Sequence, residues 1–185
     1  SYIGTSVADY LARWPEKYAV DTLSVHGEDW KQADFSKYDA VFHVAGIAHA
    51  DVGHVSEERK AEYYAVNRDL TLAVAEKAKA DGVGQFLYMS SAIVYGDSAP
   101  IGKRKVITKD TPVAPANFYG DSKVQAEKGL KKLESDAFRV AVLRPPMIYG
   151  PGSKGNYPTL SKMARKLPLF PKVDNQRSML YVENL

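Results

Sequence analysis

Residues Asp39 to Ala45, DAVFHVA, form a nearly continuous apolar run. Two similar runs follow, QFLYMS from Gln85 to Ser90 and RVAVLR from Arg139 to Arg144. Short apolar runs without clean polar alternation are typical of strands buried on both faces, as in a parallel sheet. These three runs therefore predict parallel strands. A further strand is predicted from Ala19 to Val25, where strand-forming residues alternate.

Helical patterns separate the predicted strands. Apolar residues recur at helical spacing and predict helices over Thr5–Trp14, Ser56–Lys79, Phe118–Leu133 and Asn156–Leu167. Strands that alternate with helices predict an α/β protein with right-handed crossovers. From about Gly150 the sequence becomes rich in proline and glycine, which predicts the start of a smaller second lobe.

The composition excludes several classes of protein. The 185 residues carry a net charge of only +3, which gives no reason to expect nucleic acid as a partner. The sequence contains no cysteine, which excludes a disulfide framework and a cysteine nucleophile and favours the cytoplasm. The mean hydropathy is −0.33, and the most apolar stretch, residues 40–48, is short, so no membrane-spanning helix is predicted.

A serine, a tyrosine and a lysine stand in a suggestive order. Ser90 and Ser91 end a predicted buried strand, and ligands bind at the carboxyl ends of strands in open α/β sheets. Tyr119 and Lys123 lie four residues apart on a predicted helix, so their side chains share one face.

This order resembles the extended short-chain dehydrogenase/reductase family, in its NAD-dependent sugar-nucleotide epimerase/dehydratase branch. The matching segments are VAG at 44–46, VN at 66–67, MSSAIVYG at 89–96, YGDSK at 119–123 with AE at 126–127, RPPMIYGP at 144–151 and RSMLYVENL at 177–185. The resemblance implies a doubly wound, Rossmann-like parallel sheet. It also implies a dinucleotide-binding domain over residues 1–149, and residues 150–185 as the start of a substrate-binding lobe.

The resemblance implies that Ser91, Tyr119 and Lys123 are the catalytic residues. A phenol has a pKa near ~10, but a neighbouring ammonium and an oxidised nicotinamide both favour the phenolate. Tyr119 would then accept a proton from a substrate hydroxyl as hydride leaves for the cofactor. Lys123 would lower the pKa of Tyr119 and bind the nicotinamide ribose, and Ser91 would hydrogen-bond the reacting oxygen. Ser91 is preferred to Ser90 because it lies three residues before Val94, and the two serines should point to different sides.

The implied cofactor is NAD or NADP. Residues Ser1 to Gly4 resemble the end of a glycine-rich turn that meets the pyrophosphate at a helix N-terminus. The strand predicted over Ala19–Val25 ends without a carboxylate for the adenosine ribose, so the choice between NAD and NADP stays open. Asp29 and Trp30 can reach the adenine, although Trp30 can equally anchor a helix. The expected cofactor-binding residues are Tyr2, Ile3, Gly4, Asp29, Trp30, Val44, Ala45, Gly46, Asn67, Tyr119, Lys123 and Pro146.

A doubly wound sheet has its first strand at the centre. Since Ser1 to Gly4 resemble only the end of the turn that follows that strand, we expect a further strand and glycine before Ser1. We also expect more chain after Leu185.

The expected substrate is a nucleotide sugar, with Ser91, Met147 and Arg177 as its contacts and Arg177 at the diphosphate. Dehydratases of this family carry Asp-Glu directly after the catalytic Ser or Thr, because eliminating water needs a further acid and base. Here Ala92 and Ile93 occupy those positions, so epimerisation is favoured over dehydration. Because Met147 replaces an Asn that epimerases often present, an NAD(P)H-dependent reductase of a small carbonyl compound is an alternative. A non-enzymatic dinucleotide-binding sensor or scaffold is another.

Three further patterns have simpler interpretations. The segment His49 to His54 contains metal-ligand residue types but no third ligand at a metal-site spacing, so no metal is predicted. The basic run Lys103 to Lys105 is interpreted as a solvated loop. A hydrolase triad of Ser91, His43 and an Asp is disfavoured because Ser91 lacks a G-x-S-x-G elbow.

The resemblance also implies a homodimer. Relatives pair the helices that correspond to those from Ser56 and Phe118 into a four-helix bundle. Tyr63, Tyr64 and Leu130 are the expected contacts.

Overall fold

The computed structural model describes residues 1–48, 55–100, 102–154, 156–169 and 176–185. The chain forms two compact units. The first comprises Ser1–Asp21, Asp97–Thr111 and Pro145–Leu185, and the second comprises Thr22–Gly96 and Pro112–Arg144. The predicted domain boundary between residues 149 and 150 stays a prediction.

The second unit contains a parallel sheet of three strands, β1 (Ala40–His43), β2 (Gln85–Met89) and β3 (Arg139–Leu143), in the order β1-β2-β3. In their register, Gln85 is the partner of both Ala40 and Arg139. The three apolar runs therefore form parallel strands as predicted, and the α/β class is confirmed.

Helical segments connect these strands. Between β1 and β2 lie α2 (Glu57–Tyr64), a π-helical segment (Ala65–Leu70) and α3 (Thr71–Ala80), and α4 (Phe118–Leu133) lies between β2 and β3. The predicted helix from Ser56 is thus interrupted by the wider π-helical turn, a feature often found at functional sites. The α2–α3 segment and α4 contact each other.

The core of the second unit lies between the sheet and these helices, as expected for an α/β layer. Its largest side chains include Phe86, Phe138, Leu130, Val74 and Trp30. The structure contradicts two of the expected dimer contacts, because Leu130 is fully buried and Tyr63 is 2% exposed. Tyr63 packs its ring edge-on against Phe118, so burial within the subunit removes both residues from any outer surface.

The first unit contains α1 (Tyr2–Leu11), α5 (Asn156–Lys166) and two parallel strands, β4 (Met147–Tyr149) and β5 (Met179–Tyr181). Helix α1 begins three residues before the predicted Thr5 and ends before Trp14. Ser1 caps it, because its Oγ accepts a hydrogen bond from the Gly4 N–H at 3.1 Å. Of the residues expected to form the glycine-rich turn, Tyr2, Ile3 and Gly4 are therefore helical and Ser1 is the cap.

The strand predicted over Ala19–Val25 is wrong. These residues have no regular secondary structure, and Val20 and Leu23 are exposed. A strand needs a neighbour to satisfy its backbone groups, and the part of the chain that the structure describes offers it none. A short 3₁₀ helix, Asp29–Gln32, follows.

Among the described helices, none is both long enough and apolar enough to cross a membrane.

Candidate active site

Strand β2 ends at the two serines. The Ser90 N–H donates to the Leu143 carbonyl at 2.8 Å, so sheet pairing extends one residue past Met89. Ser90 is 4% exposed, whereas Ser91 is half-buried and its Oγ accepts from the Ile93 N–H at 3.3 Å. As predicted, the two hydroxyls have different environments, and Ser91 begins the 3₁₀ turn Ala92–Tyr95.

The start of α4 is fixed close to this turn. Asn117 caps the helix by accepting from the Gly120 N–H at 3.0 Å. A Cβ on Gly120 would lie 3.0 Å from the Cβ of Pro115 and 3.1 Å from the Ile93 carbonyl oxygen. Only a glycine permits this approach, which brings Tyr119 close to Ser91.

The Tyr119 side chain is half-buried. Its ring meets Tyr63 at a centroid distance of 6.0 Å. Burial raises the pKa of Tyr119, and a hydrogen bond with Ser91 opposes that rise. The net direction is upward, and the expected lowering of the pKa of Tyr119 by Lys123 together with an oxidised nicotinamide stays a prediction.

Lys123 is buried, at 5% exposure, one helical turn after Tyr119. Its Nζ donates to the Met89 carbonyl at 3.0 Å and lies 4.9 Å from the ring centroid of Tyr88. Burial lowers the pKa of Lys123 to about 8, and the charge of Glu127 acts in the opposite direction. An ammonium has three N–H donors. Among the described residues, the Met89 carbonyl is the acceptor for one of them.

The segment after β1 is held by Asn67, from the π-helical turn. Asn67 Oδ1 accepts from the Ile47 N–H at 2.8 Å, and its Nδ2 donates to the Ile47 carbonyl at 3.1 Å and to Ser122 Oγ at 3.1 Å. The amide is fully buried and all its donors are used. Asn67 therefore holds Ile47 in place, and its expected role as a cofactor contact stays a prediction.

Gly46 is exposed and lies beside the lysine. A Cβ at this position would lie 3.0 Å from Lys123 Nζ and 3.0 Å from Asn67 Oδ1. Gly46 has no side chain, and the neighbouring Lys123 ammonium has N–H donors beyond the one bound to Met89 among the described residues. This arrangement suits the close approach of a ligand with hydroxyl acceptors, such as a nucleotide ribose. The residues present in the second unit thus fit a dinucleotide.

An ion pair between the buried Glu127 and the half-buried Arg144 also adjoins the site, and its role was missed from sequence. Glu127 accepts hydrogen bonds from Arg144 Nε at 3.1 Å and Nη2 at 2.6 Å, and from Ser90 Oγ at 2.5 Å. Arg144 Nη1 donates to Tyr95 Oη at 2.8 Å. Glu127 lies four residues after Lys123 on one helix face, and that spacing is a signal the sequence does contain.

His43, at the end of β1, is buried. Its Nε2 lies 3.1 Å from Thr71 Oγ1, and that hydroxyl donates its proton to the Asn67 carbonyl at 2.9 Å. Nε2 must therefore carry the proton that it donates to Thr71. Burial lowers the pKa of His43 to about 3, so the ring is neutral at pH 7.

The remaining expected contacts lie in the first unit. The first turn of α1 contains Tyr2, Ile3 and Gly4. The Tyr2 hydroxyl is buried and has no hydrogen-bond partner among the described residues. Arg177 Nη1 donates to Ser98 Oγ at 3.2 Å. Pro146 directly precedes β4, which begins at the half-buried Met147.

Trp30 belongs to the core rather than to a ligand surface. The side chain is 3% exposed and its Nε1 donates to the Gly27 carbonyl at 3.1 Å. The structure thus favours the helix-anchor interpretation, while the neighbouring Asp29 is exposed. Val44 and Ala45 are half-buried directly after β1.

Two further expectations concern other ligands. The segment 49–54, with its two histidines, lies outside the described residues. Within the described ranges no three His, Asp or Glu side chains form a group that could hold a metal ion. Residues 103–105 are exposed, and Lys105 Nζ donates to the Asp97 carbonyl.

A parallel α/β sheet that brings together Ser91, Tyr119 and Lys123 beside an exposed glycine defines a short-chain dehydrogenase/reductase type of site. The family model described as the NAD dependent epimerase/dehydratase family matches residues 3–185, and the chain belongs to that family.

Characterised relatives agree with this assignment. UDP-glucose 4-epimerase of Vibrio cholerae is 31% identical over 207 residues, covering 100% of this chain and 61% of the relative. N-acetyl-alpha-D-glucosaminyl-diphospho-ditrans,octacis-undecaprenol 4-epimerase of Escherichia coli O157:H7 is 33% identical over 128 residues, covering 66% of this chain and 37% of the relative. The chain therefore spans about three fifths or less of the length of these relatives.

Solved structures share the fold. The Bordetella bronchiseptica enzyme WbmG in complex with NAD is 32% identical, with a TM-score of 0.53, over 69% of this chain and 37% of that one. MoeE5 in complex with UDP-glucose and NAD has a TM-score of 0.67 at 21% identity, over 96% of this chain and 64% of that one. At that identity the second likeness shows the Rossmann-like fold alone.

Proposed function

We propose that the protein containing this chain is an enzyme that uses NAD to epimerise a nucleotide sugar. The observation that carries the proposal is the convergence of Ser91, Tyr119 and Lys123 in one unit. The relatives support the substrate class, because the Vibrio cholerae protein is a UDP-glucose 4-epimerase. The NAD-bound structure of WbmG supports the cofactor.

The three side chains have complementary roles in this proposal. NAD, when bound, would supply the hydride acceptor. Tyr119 Oη takes the proton of the sugar hydroxyl and later returns it, which is general acid–base catalysis. Ser91 hydrogen-bonds the reacting oxygen, and Lys123 offers its remaining N–H donors to the ribose hydroxyls.

The raised pKa of Tyr119 has a consequence for this scheme. The half-buried phenol holds its proton at neutral pH, so Ser91 alone does not produce the base. The positive charge of an oxidised nicotinamide, when bound, would favour the phenolate.

Dehydration is disfavoured although some relatives are dTDP-D-glucose 4,6-dehydratases. Ala92 and Ile93, which follow Ser91, have no side chain that transfers a proton. Reduction of a small carbonyl compound is the second candidate. It is favoured by Met147, whose thioether is a poor hydrogen-bonding partner for a sugar.

The remaining contacts complete the proposal. The N–H groups of Tyr2 and Ile3 in the first turn of α1 would face the pyrophosphate, as helix N-termini suit anions, and Gly4, whose N–H is held by the Ser1 cap, would allow the close approach. Gly46, with Val44 and Ala45, would line the nicotinamide side. In the first unit, Arg177 would pair with the substrate diphosphate, for which a guanidinium is well suited.

Incubation of the full-length protein with UDP-glucose or UDP-galactose, without added cofactor, tests the function. We expect interconversion, detected by chromatography, and its loss in Tyr119→Phe. Stoichiometric consumption of added NADPH with a carbonyl compound, without sugar interconversion, would support the reductase. Cofactor binding without reduction by any sugar would support a sensor or scaffold.

A cytoplasmic homodimer is proposed as the assembly. The cysteine-free sequence suits a reducing compartment. Of the expected contacts, Tyr64 remains, since it is half-buried and its hydroxyl donates to Asp121 on α4 at 2.8 Å. Light scattering at micromolar concentration is expected to give the mass of a dimer, and a monomer alone would refute it.

A further inference from the structure

Glu127 is a buried carboxylate that the proposed chemistry leaves unused. It lies on α4 four residues after Lys123, so the two side chains lie on one helix face. Its side chain is 8% exposed. A carboxylate is buried only when it is paired or hydrogen-bonded, and this one is placed next to the catalytic helix turn.

The carboxylate and Arg144 form a two-point ion pair that holds the segment containing Ser91. Ser90 Oγ donates to Glu127 at 2.5 Å, just before Ser91. Tyr95 Oη accepts from Arg144 at 2.8 Å, just after the same turn. Both ends of the short segment 90–95 are therefore hydrogen-bonded to the Glu127–Arg144 ion pair. Glu127 lies on α4, the helix that also contains Tyr119.

Among the described residues around Lys123, Glu127 is the group that supplies negative charge. His43 on β1 is buried and neutral, because burial lowers its pKa to about 3. Burial raises the pKa of Tyr88 on β2 and that of Tyr119 on α4, so both phenols keep their protons at neutral pH. Arg144, after β3, is itself a cation.

We propose that Glu127 is the positioning residue of this site, which ties the Ser91 segment to α4 through Ser90 and Arg144 and keeps the neighbouring Lys123 ammonium charged. The inference rests on the proposed function for its catalytic meaning, but its physical content concerns only groups of this chain. Without the carboxylate, Lys123 would be a buried cation whose opposite charge has been removed, and burial then favours the neutral amine.

The test measures Lys123 directly. Lysine Cε is labelled with ¹³C in the full-length protein, and the Lys123 signal is assigned by its loss in Lys123→Met. Its chemical shift is followed against pH in the wild type, Glu127→Gln and Arg144→Gln. Arg144→Gln is the matched control, because it breaks the same ion pair but keeps the carboxylate.

We expect the titration of Lys123 to move down by about one pH unit or more in Glu127→Gln, as removal of an opposite charge predicts. In Arg144→Gln it should stay in place or move up. An equal downward shift in both variants, or no shift in Glu127→Gln, would overturn the inference. If Glu127→Gln does not fold, the double variant Glu127→Gln/Arg144→Met is compared with Arg144→Met, and Lys123 should titrate lower in the double variant, because only that variant lacks the carboxylate.

The catalytic consequence is measured separately. In Glu127→Gln, the pH above which NAD affinity declines should fall with the titration of Lys123. A wild-type protein inactive on nucleotide sugars would refute the proposed function and leave the titration result valid. An unchanged titration in Glu127→Gln with an active wild-type enzyme would refute only the role of Glu127.

Discussion

The backbone of Gly46 approaches Lys123 so closely that a Cβ on this residue would lie 3.0 Å from the ammonium nitrogen. The same Cβ would lie 3.0 Å from Asn67 Oδ1, which is fixed by the Ile47 N–H. Neither neighbour moves easily, because both are buried and hydrogen-bonded. A side chain at this position would therefore have to displace the Lys123 ammonium or the Asn67 amide.

The first prediction concerns Gly46→Ala. Overpacking of a tight site costs about 1–3 kcal/mol, so NAD affinity should fall by roughly 5- to 150-fold. Isothermal titration calorimetry measures the loss. Gly84→Ala is the matched control, because its Cβ would meet only the Asp39 carbonyl oxygen at 3.7 Å, an ordinary contact. Equal affinities in wild type and Gly46→Ala would contradict the placement of the cofactor.

The second prediction concerns the acid–base group. Tyr119→Phe removes the proton acceptor and keeps the ring that packs on Tyr63. Turnover should fall by about 10²- to 10⁴-fold, while NAD affinity changes little. Steady-state kinetics and calorimetry on the same preparation separate the two effects. Near-normal turnover would assign the base to another group.

Lys123→Met should behave differently, which is the third prediction. The ammonium is proposed to serve both the phenol and the ribose, so turnover and NAD affinity should both fall. Methionine fills the buried space without a charge, which keeps the fold intact. Unchanged NAD affinity in this variant would show that Lys123 does not contact the cofactor.

The fourth prediction concerns acid stability. The folded state lowers the pKa of His43 from 6.5 to about 3, so between these values the unfolded state binds more protons. The contribution of His43 is therefore fully present above pH 6.5 and is lost as the pH falls toward 3, at about 1.4 kcal/mol per pH unit. Urea unfolding across this range measures the slope.

The control for this slope is His43→Gln, which keeps a donor for Thr71 but does not titrate. Its free energy of unfolding should depend less on pH between 6.5 and 3 than that of the wild type. Identical slopes would mean that other groups cause the acid sensitivity.

Trp30 is the subject of the last prediction. Because its indole is buried and bonded to the Gly27 carbonyl, Trp30→Phe should destabilise the fold by about 1–3 kcal/mol. NAD affinity, measured well below the melting temperature, should stay within about twofold, less than 1 kcal/mol. A large loss of affinity without a loss of stability would restore the adenine-stacking interpretation.

The sequence by itself determined the parallel strands β1, β2 and β3 and the helical pair of Tyr119 and Lys123. These features are local, since an apolar run shows burial on both faces and a four-residue spacing fixes a shared helix face. The separate orientations of Ser90 and Ser91 also followed from strand alternation.

Only the tertiary structure decided which groups meet. Glu127 finds Ser90 across 37 residues and Arg144 across 17, and no local pattern specifies such partners. Trp30 turned inward, and Tyr63 and Leu130 packed within the subunit, because the packing of α2–α4 on the sheet decides which apolar faces are covered. Residues 19–25 have strand-forming side chains, but among the described residues no strand pairs with their backbone. A strand exists only where another strand satisfies its backbone hydrogen bonds.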